Sequence, residues 1–173
     1  VVQNEHLYIV SPRILRSYNL SDCSSPALTS EVNVDFNGGD AEMISTINDA
    51  LLVGTNNGMY ILSNETPSNP QIIGQYAHAT ACDPVMASGD FAYVTLRDGE
   101  GNTCGNSFTN ELDVVSIANM RTPFLVANYS MTNPHGLSLD QDLLFIADGT
   151  AGLRVIDAKN PAEVGKNELA HMT

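Results

Sequence analysis

Apolar residues come in short bursts along this chain, each closed by a cluster of Asp, Asn or Gly and followed by another burst and a proline-marked turn. Runs such as "LYIV", "AYVTL" and "LLFIA" are rich in β-branched and aromatic residues and bounded by turn formers, a pattern that predicts strands. No segment carries apolar residues at i, i+3, i+4 and i+7 for even three turns. Breakers such as "TNNG", "TPSNP" and "DGTAG" arrive too often for helices to compete.

The bursts repeat. "LYIVSPRILRSYNL" from Leu7, "LLVGTNNGMYILSN" from Leu51, "AYVTLRDGEGNTCGNSFTNELDVVSI" from Ala92 and "LLFIADGTAGLRVIDA" from Leu143 align, with Leu15, Met59, Leu112 and Leu153 equivalent. The spacings are 44, 53 and 41 residues, the middle one long because residues are inserted between Val94 and Leu112. Without that insertion the period approaches the roughly 40 to 50 residues of a four-stranded propeller blade. Each unit parses into a first strand (Glu42 to Asn48, Asp83 to Gly89, His135 to Gln141), two middle strands, and a last strand such as "QIIGQYA" or "FLVANYS". The middle strands are apolar on nearly every residue, as strands are when both faces of their sheet pack against other sheets. The fold class predicted is all-β: a β-propeller of about four four-stranded blades in one domain, with repeats at approximately 1–41, 42–82, 83–134 and 135–173. Four blades make a tight ring, so the expectation is part of a larger or oligomer-completed ring. The uncovered sides of the first and last blades then predict self-association.

"GLRVIDAKNP", "ELDVVSIANMRTP" and "GMYILSNETPSNP" resemble the repeat named for its Leu-Val-Ile-Val-Asp core, the LVIVD repeat. "TACDPVMASGDFAYVTLRDG" and "MTNPHGLSLDQDLLFIADG" resemble other parts of the same unit, whereas "RILRSYNLSDCSSP" is a loose match. The resemblance spans essentially the whole chain and implies a β-propeller of a kind often secreted or lipid-anchored on bacterial surfaces. It carries no assigned catalytic activity.

Composition narrows the partners. Twenty acidic against seven basic residues give a formal net charge of −13, which repels nucleic acid backbones and anionic lipid headgroups. No apolar stretch reaches the roughly 18 residues of a membrane span, so no membrane insertion of this chain is expected. "VVQNEHLYIV" lacks the flanks of a signal peptide, and such a segment could precede the residues given.

Three single residues open the first strands of successive repeats: Glu42, Asp83 and His135. Register places them at one end of the central channel, where two carboxylates and an imidazole could bind a cation or perform acid–base chemistry. Strand capping or contact with channel water explains them as well. His6, His78 and His171 share no spacing, so no metal site and no cofactor is expected. Asp98, Glu100 and Asp148 lie among glycines in "RDGEGNTCGN" and "ADGTAG" without the ligand spacing of an EF-hand, and read as solvated turns. There is no Gly-x-Ser-x-Gly, phosphate loop or His-Glu-x-x-His, so no enzyme is expected. The sequons at Asn19, Asn64 and Asn128 matter only in a glycosylating host.

The functional expectation is an extracellular or cell-surface interaction module, with a periplasmic site the variant of that location. It would bind a protein or glycan partner through one loop face. The Gly99 to Asn110 insertion is the most individual element there, with Asp98, Glu100 and Asn102 as candidate contacts. The alternative is an enzyme or ligand site at the channel mouth. Cys82 precedes a first strand and Cys104 lies between a second and a third, connections at the same end of a blade, so these two are expected to form a disulfide with Cys23 free. Three reduced thiols in a cytosolic protein is the competing expectation.

Overall fold

The computed structural model describes residues 1–78, 81–82, 84–98 and 109–173. Each pair of apolar bursts forms the centre of an antiparallel four-stranded sheet whose strands lie in sequence order. Blade 1 holds β1 (Val2–Gln3), β2 (His6–Ser11), β3 (Ile14–Asn19) and β4 (Ala27–Asn33). Blade 2 holds β5 (Ala41–Ile47), β6 (Ala50–Thr55), β7 (Gly58–Ser63) and β8 (Gln71–Ala77). Blade 3 holds β9 (Val85–Ser88), β10 (Phe91–Leu96), β11 (Glu111–Ser116) and β12 (Phe124–Ser130). Blade 4 holds β13 (Gly136–Asp140), β14 (Leu143–Ala147), β15 (Leu153–Asp157) and β16 (Glu168–Met172). The innermost strands adjoin one another, β5 beside β9 and β9 beside β13, so the fold is the β-propeller.

The same local devices recur in every blade. Asn4, Asn48, Gly89 and Gln141 occupy the turn between first and second strands, each with a φ between 48° and 55° that carries the chain round a tight antiparallel reversal. Third and fourth strands lose register at equivalent places, after Ser17, Ile61, Val114 and Val155, because the fourth strand carries one extra residue there. Two short 3-10 turns, Gly149–Ala151 and Pro161–Lys166, interrupt the strands of blade 4.

Between the sheets lie three separate cores. Tyr8 and Leu15 of blade 1 meet Leu51, Val53 and Leu62 of blade 2. Leu52, Met59 and Ile61 of blade 2 meet Ala92, Val94 and Val115 of blade 3. Leu112 and Val114 of blade 3 meet Leu144, Ile146 and Ile156 of blade 4. Alternate residues of β6 and β7 therefore pack on opposite neighbours, which is why these strands read as continuous apolar runs.

Each interface also carries an outer lock. The loop between third and fourth strands of one blade presses on the outer strands of the blade before it. Ser17 Oγ of blade 1 donates to the Pro67 carbonyl of blade 2 at 2.8 Å. Gly74 of blade 2 lies against the Met120 carbonyl of blade 3, where a Cβ would come within 1.8 Å of the oxygen. Tyr129 of blade 3 donates through its hydroxyl to the Ala162 carbonyl of blade 4 at 2.7 Å. Blade 1 has no blade before it and blade 4 none after it among the described residues. Leu7, Ile9 and Tyr18 on one side, and Phe145, Leu153 and Val155 on the other, are accordingly half-buried or exposed.

Candidate functional site at the channel mouth

From the sequence, the first strands are expected to begin at a channel mouth, and the observed ends of these strands differ from that expectation in ways that matter. Glu42 is the extra residue of a bulge: Ala41 pairs with Thr55 and Met43 with Gly54, leaving Glu42 without a cross-strand position. A bulge at a rim re-aims a side chain. His135 lies one residue before β13, its N–H donating to the Ala147 carbonyl at 2.8 Å. Asp83, the third expected member, lies outside the described residues.

Glu42 and His135 line one cleft of about 430 Å³, together with Met43, Cys82, Arg97 and Leu137. The cleft thus takes residues from three blades. Arg97 was not singled out by the sequence pattern. It reaches the rim because the strand after Leu96 continues into a lone antiparallel bridge with Cys82, whose N–H donates to the Arg97 carbonyl at 3.2 Å. A guanidinium offers planar, multidentate recognition of carboxylates and other oxygen acceptors. Beside Glu42 and His135 it makes a mouth able to meet a polar ligand with both donors and acceptors.

Asp98, next along the chain, belongs to a second cleft of about 260 Å³ with Asn110, Thr132, Asn133 and Thr150. Its backbone N–H donates to Asn110 Oδ1 at 3.2 Å. The other candidate contacts, Glu100 and Asn102, lie outside the described residues. Cys82 is disulfide-bonded and Cys23 is a free, exposed thiol; Cys104 lies outside the described residues. Among the described residues no group of three or more His, Cys, Asp or Glu is placed to hold a metal ion.

Asp148 corrects the sequence reading of a solvated turn: it is completely buried. Its Oδ1 accepts from the N–H groups of Thr132 and Asn133, both at 2.8 Å, and so fixes the crossover from blade 3 to blade 4. Arg154 Nε stands 2.9 Å from Oδ2 as an ion pair, out of line for a hydrogen bond. A second buried carboxylate escaped the sequence pattern. Asp113 on β11 accepts from the Tyr76 hydroxyl at 2.7 Å across the blade 2–3 interface, while its Oδ1 has no hydrogen-bond partner. Burial pushes its pKa up to about 6; the Tyr76 bond works against that rise and the charge of Glu111 adds to it. Burial, with Asp113 beside it, raises Tyr76 in turn.

Residues 80–100 and 135–166 match the model of the LVIVD repeat. None of the curated proteins matches the chain significantly. Solved structures of similar shape include the computationally designed Ika8 protein, at 12% identity and a TM-score of 0.60 over 95% of this chain and 48% of that one. The designed Ika4 protein matches at 9% identity and 0.64, over 89% of this chain and 86% of that one. BamB from Moraxella catarrhalis matches at 13% and 0.64, over 99% of this chain and 46% of that one. The chain therefore spans about half the length of two of these structures. At such identities the likeness shows the fold alone. No helix among the described residues is long and apolar enough to cross a membrane.

Proposed function

We propose that this LVIVD-repeat propeller is a non-catalytic interaction module of the cell surface or periplasm, which binds a protein or glycan partner through the face that carries the channel mouth. The observation behind this reading is the convergence of Glu42, Arg97 and His135 from three blades on one open cleft. Rigid sheets hold such a face in place while its loops supply specificity. Arginine is enriched where interfaces concentrate their binding energy, and Arg97 is one of only seven basic residues in the chain. The disulfide at Cys82 suits an oxidising compartment.

One observation favours a second reading. Glu42 and His135 share the cleft, and a carboxylate with an imidazole can perform acid–base chemistry on a bound ligand. A glycan array and a display library of folded domains, followed by mass spectrometry of each captured ligand, separates the two. Saturable capture of an unaltered ligand is expected; a chemically changed ligand would replace the binding role with the enzymatic one.

A further inference from the structure

The seams between successive blades share one position at the end of the first strands opposite Glu42 and His135, and a different side chain fills it each time. Asn64, Ile117 and Ala158 hold that position: their N–H groups donate to the carbonyls of Asp49, Asp90 and Asp142, the acidic residues of equivalent turns, at 2.8 Å in each case. Between blades 1 and 2, Asn64 Nδ2 donates to Gln3 Oε1 at 2.9 Å and Gln3 Nε2 donates to the Asn48 carbonyl, so a polar bridge spans the seam. Between blades 2 and 3, Ile117 packs in one core with Ala50 and Leu52, and Met120 lies against it. Between blades 3 and 4, the single methyl of Ala158 is too short to fill the same space.

The space that Ala158 leaves is a cleft of about 260 Å³. Phe91, Tyr93, Leu139 and Pro161 give it apolar walls. The turn bonds Thr122 N to Asn119 O and Glu163 N to Asn160 O make Pro161 the equivalent of Met120, so both residues that close the blade 2–3 seam are replaced by smaller ones here. The rim carries charges of both signs. Asp90 from blade 3, with Asp142 and Lys159 from blade 4, lines the cleft from exposed positions, and none of the three forms an ion pair with another described residue. Sites for drug-sized ligands hold roughly 300 to 1,000 Å³, so this one suits a compact molecule rather than a length of polymer.

We propose that the blade 3–4 cleft binds a free amino acid with a large apolar side chain, that side chain against Phe91, Tyr93 and Leu139, the α-ammonium at Asp90 and Asp142, and the α-carboxylate at Lys159. An amine without a carboxylate would leave Lys159 facing a second cation, and an acid without an ammonium would set a third carboxylate beside Asp90 and Asp142. A zwitterion answers all three charges. The rim is exposed, so each charge adds a modest increment and contact with the apolar walls supplies most of the affinity. The site lies at the opposite end of the first strands from the cleft of Glu42, Arg97 and His135, and it stands independently of the binding role given to that face.

Titration of the isotope-labelled, folded chain with L-phenylalanine, followed through its amide resonances, tests this. Saturable shifts are expected at residues 88–91, 139–142 and 158–159, with Glu42 and His135 unmoved. Phenethylamine, which lacks the carboxylate, and N-acetylphenylalanine, which lacks the ammonium, are each expected to bind at least about threefold more weakly. Ala158→Ile, which refills the seam as Ile117 fills its neighbour, should abolish binding while circular dichroism stays that of the wild type. Lys159→Ala and Asp90→Asn/Asp142→Asn leave the apolar walls intact and give a readout that does not depend on refilling the seam. Each should weaken L-phenylalanine at least about threefold, and Lys159→Ala should leave phenethylamine no weaker. The absence of saturable shifts at these residues up to about 20 mM L-phenylalanine would overturn the proposal. Phenethylamine or N-acetylphenylalanine binding as tightly as L-phenylalanine, or charge variants that bind it as the wild type does, would overturn it equally.

Discussion

Ser17 Oγ donates to the Pro67 carbonyl at 2.8 Å and lies 2.8 Å from Ser30 Oγ, which makes one buried hydroxyl the joint between the outer strands of blade 1 and the loop of blade 2. Since Ser17 has a single proton and gives it to Pro67, Ser30 is the donor in the other bond. Replacing Ser17 by Ala leaves both partners short of a bond at a part-buried site, and is expected to cost about 1 to 2 kcal/mol in urea unfolding. An unchanged midpoint would show that the lock adds nothing to blade docking.

Asp148 is expected to be the most sensitive polar position in the fold. Asp148→Ala removes the acceptor of two backbone N–H groups and leaves Arg154 without its buried counter-charge, a change expected to cost about 3 kcal/mol or more. Asp148→Asn keeps an acceptor for Thr132 and Asn133 and should cost less. Equal losses for the two substitutions would show that the charge, rather than the backbone bonds, holds the crossover.

Asp113 gives stability a pH dependence of definite sign. Its folded-state pKa, about 6, lies above the ordinary carboxylate value of 3.8, so the folded protein holds this proton more tightly than the unfolded chain. The stabilisation from protonated Asp113 is present below about pH 4 and is lost as pH rises through about 6. Over that window the difference in melting temperature between Asp113→Asn and wild type should move in favour of the variant, by an amount on the order of 3 kcal/mol in free energy. A difference constant from pH 4 to 7 would mean that Asp113 is not buried as described.

The architecture was legible because it rests on patterns that neighbouring residues carry. Apolar bursts, turn formers and a period near 42 residues are visible wherever "LLVGTNNGMYILSN" and "LLFIADGTAGLRVIDA" are set side by side. What stayed hidden depends on atoms far apart in the chain. The burial of Asp148 is decided by the N–H groups of the preceding crossover, so "ADGTAG" looks like any surface turn. Arg97 enters the mouth only because Cys82 extends the sheet edge to it, and Glu42 because a bulge frees it from the ladder. Asp113 sits in "ELDVVS" as if on a polar face, but Tyr76 of the preceding blade covers it.

Thiol counting addresses the covalent framework and the compartment together. Denatured without reductant, the chain should show one reactive thiol, Cys23, and three after reduction. In the chain-entropy model a bond from Cys82 to Cys104, closing about 20 residues, stabilises by roughly 3 kcal/mol, so reduction should lower the urea midpoint. Three reactive thiols before reduction would place this protein in a reducing compartment instead.

The binding role of the channel-mouth face is tested most directly by a ligand taken from the array or the display library and titrated against three folded forms of the chain. These are the wild type, an Arg97→Ala/His135→Ala double variant at the mouth, and Asp49→Ala in the turn at the opposite end of the blade. The account predicts that the mouth variant weakens binding by at least about tenfold and that Asp49→Ala leaves it unchanged. Equal affinity for all three forms, or a loss confined to Asp49→Ala, would contradict it.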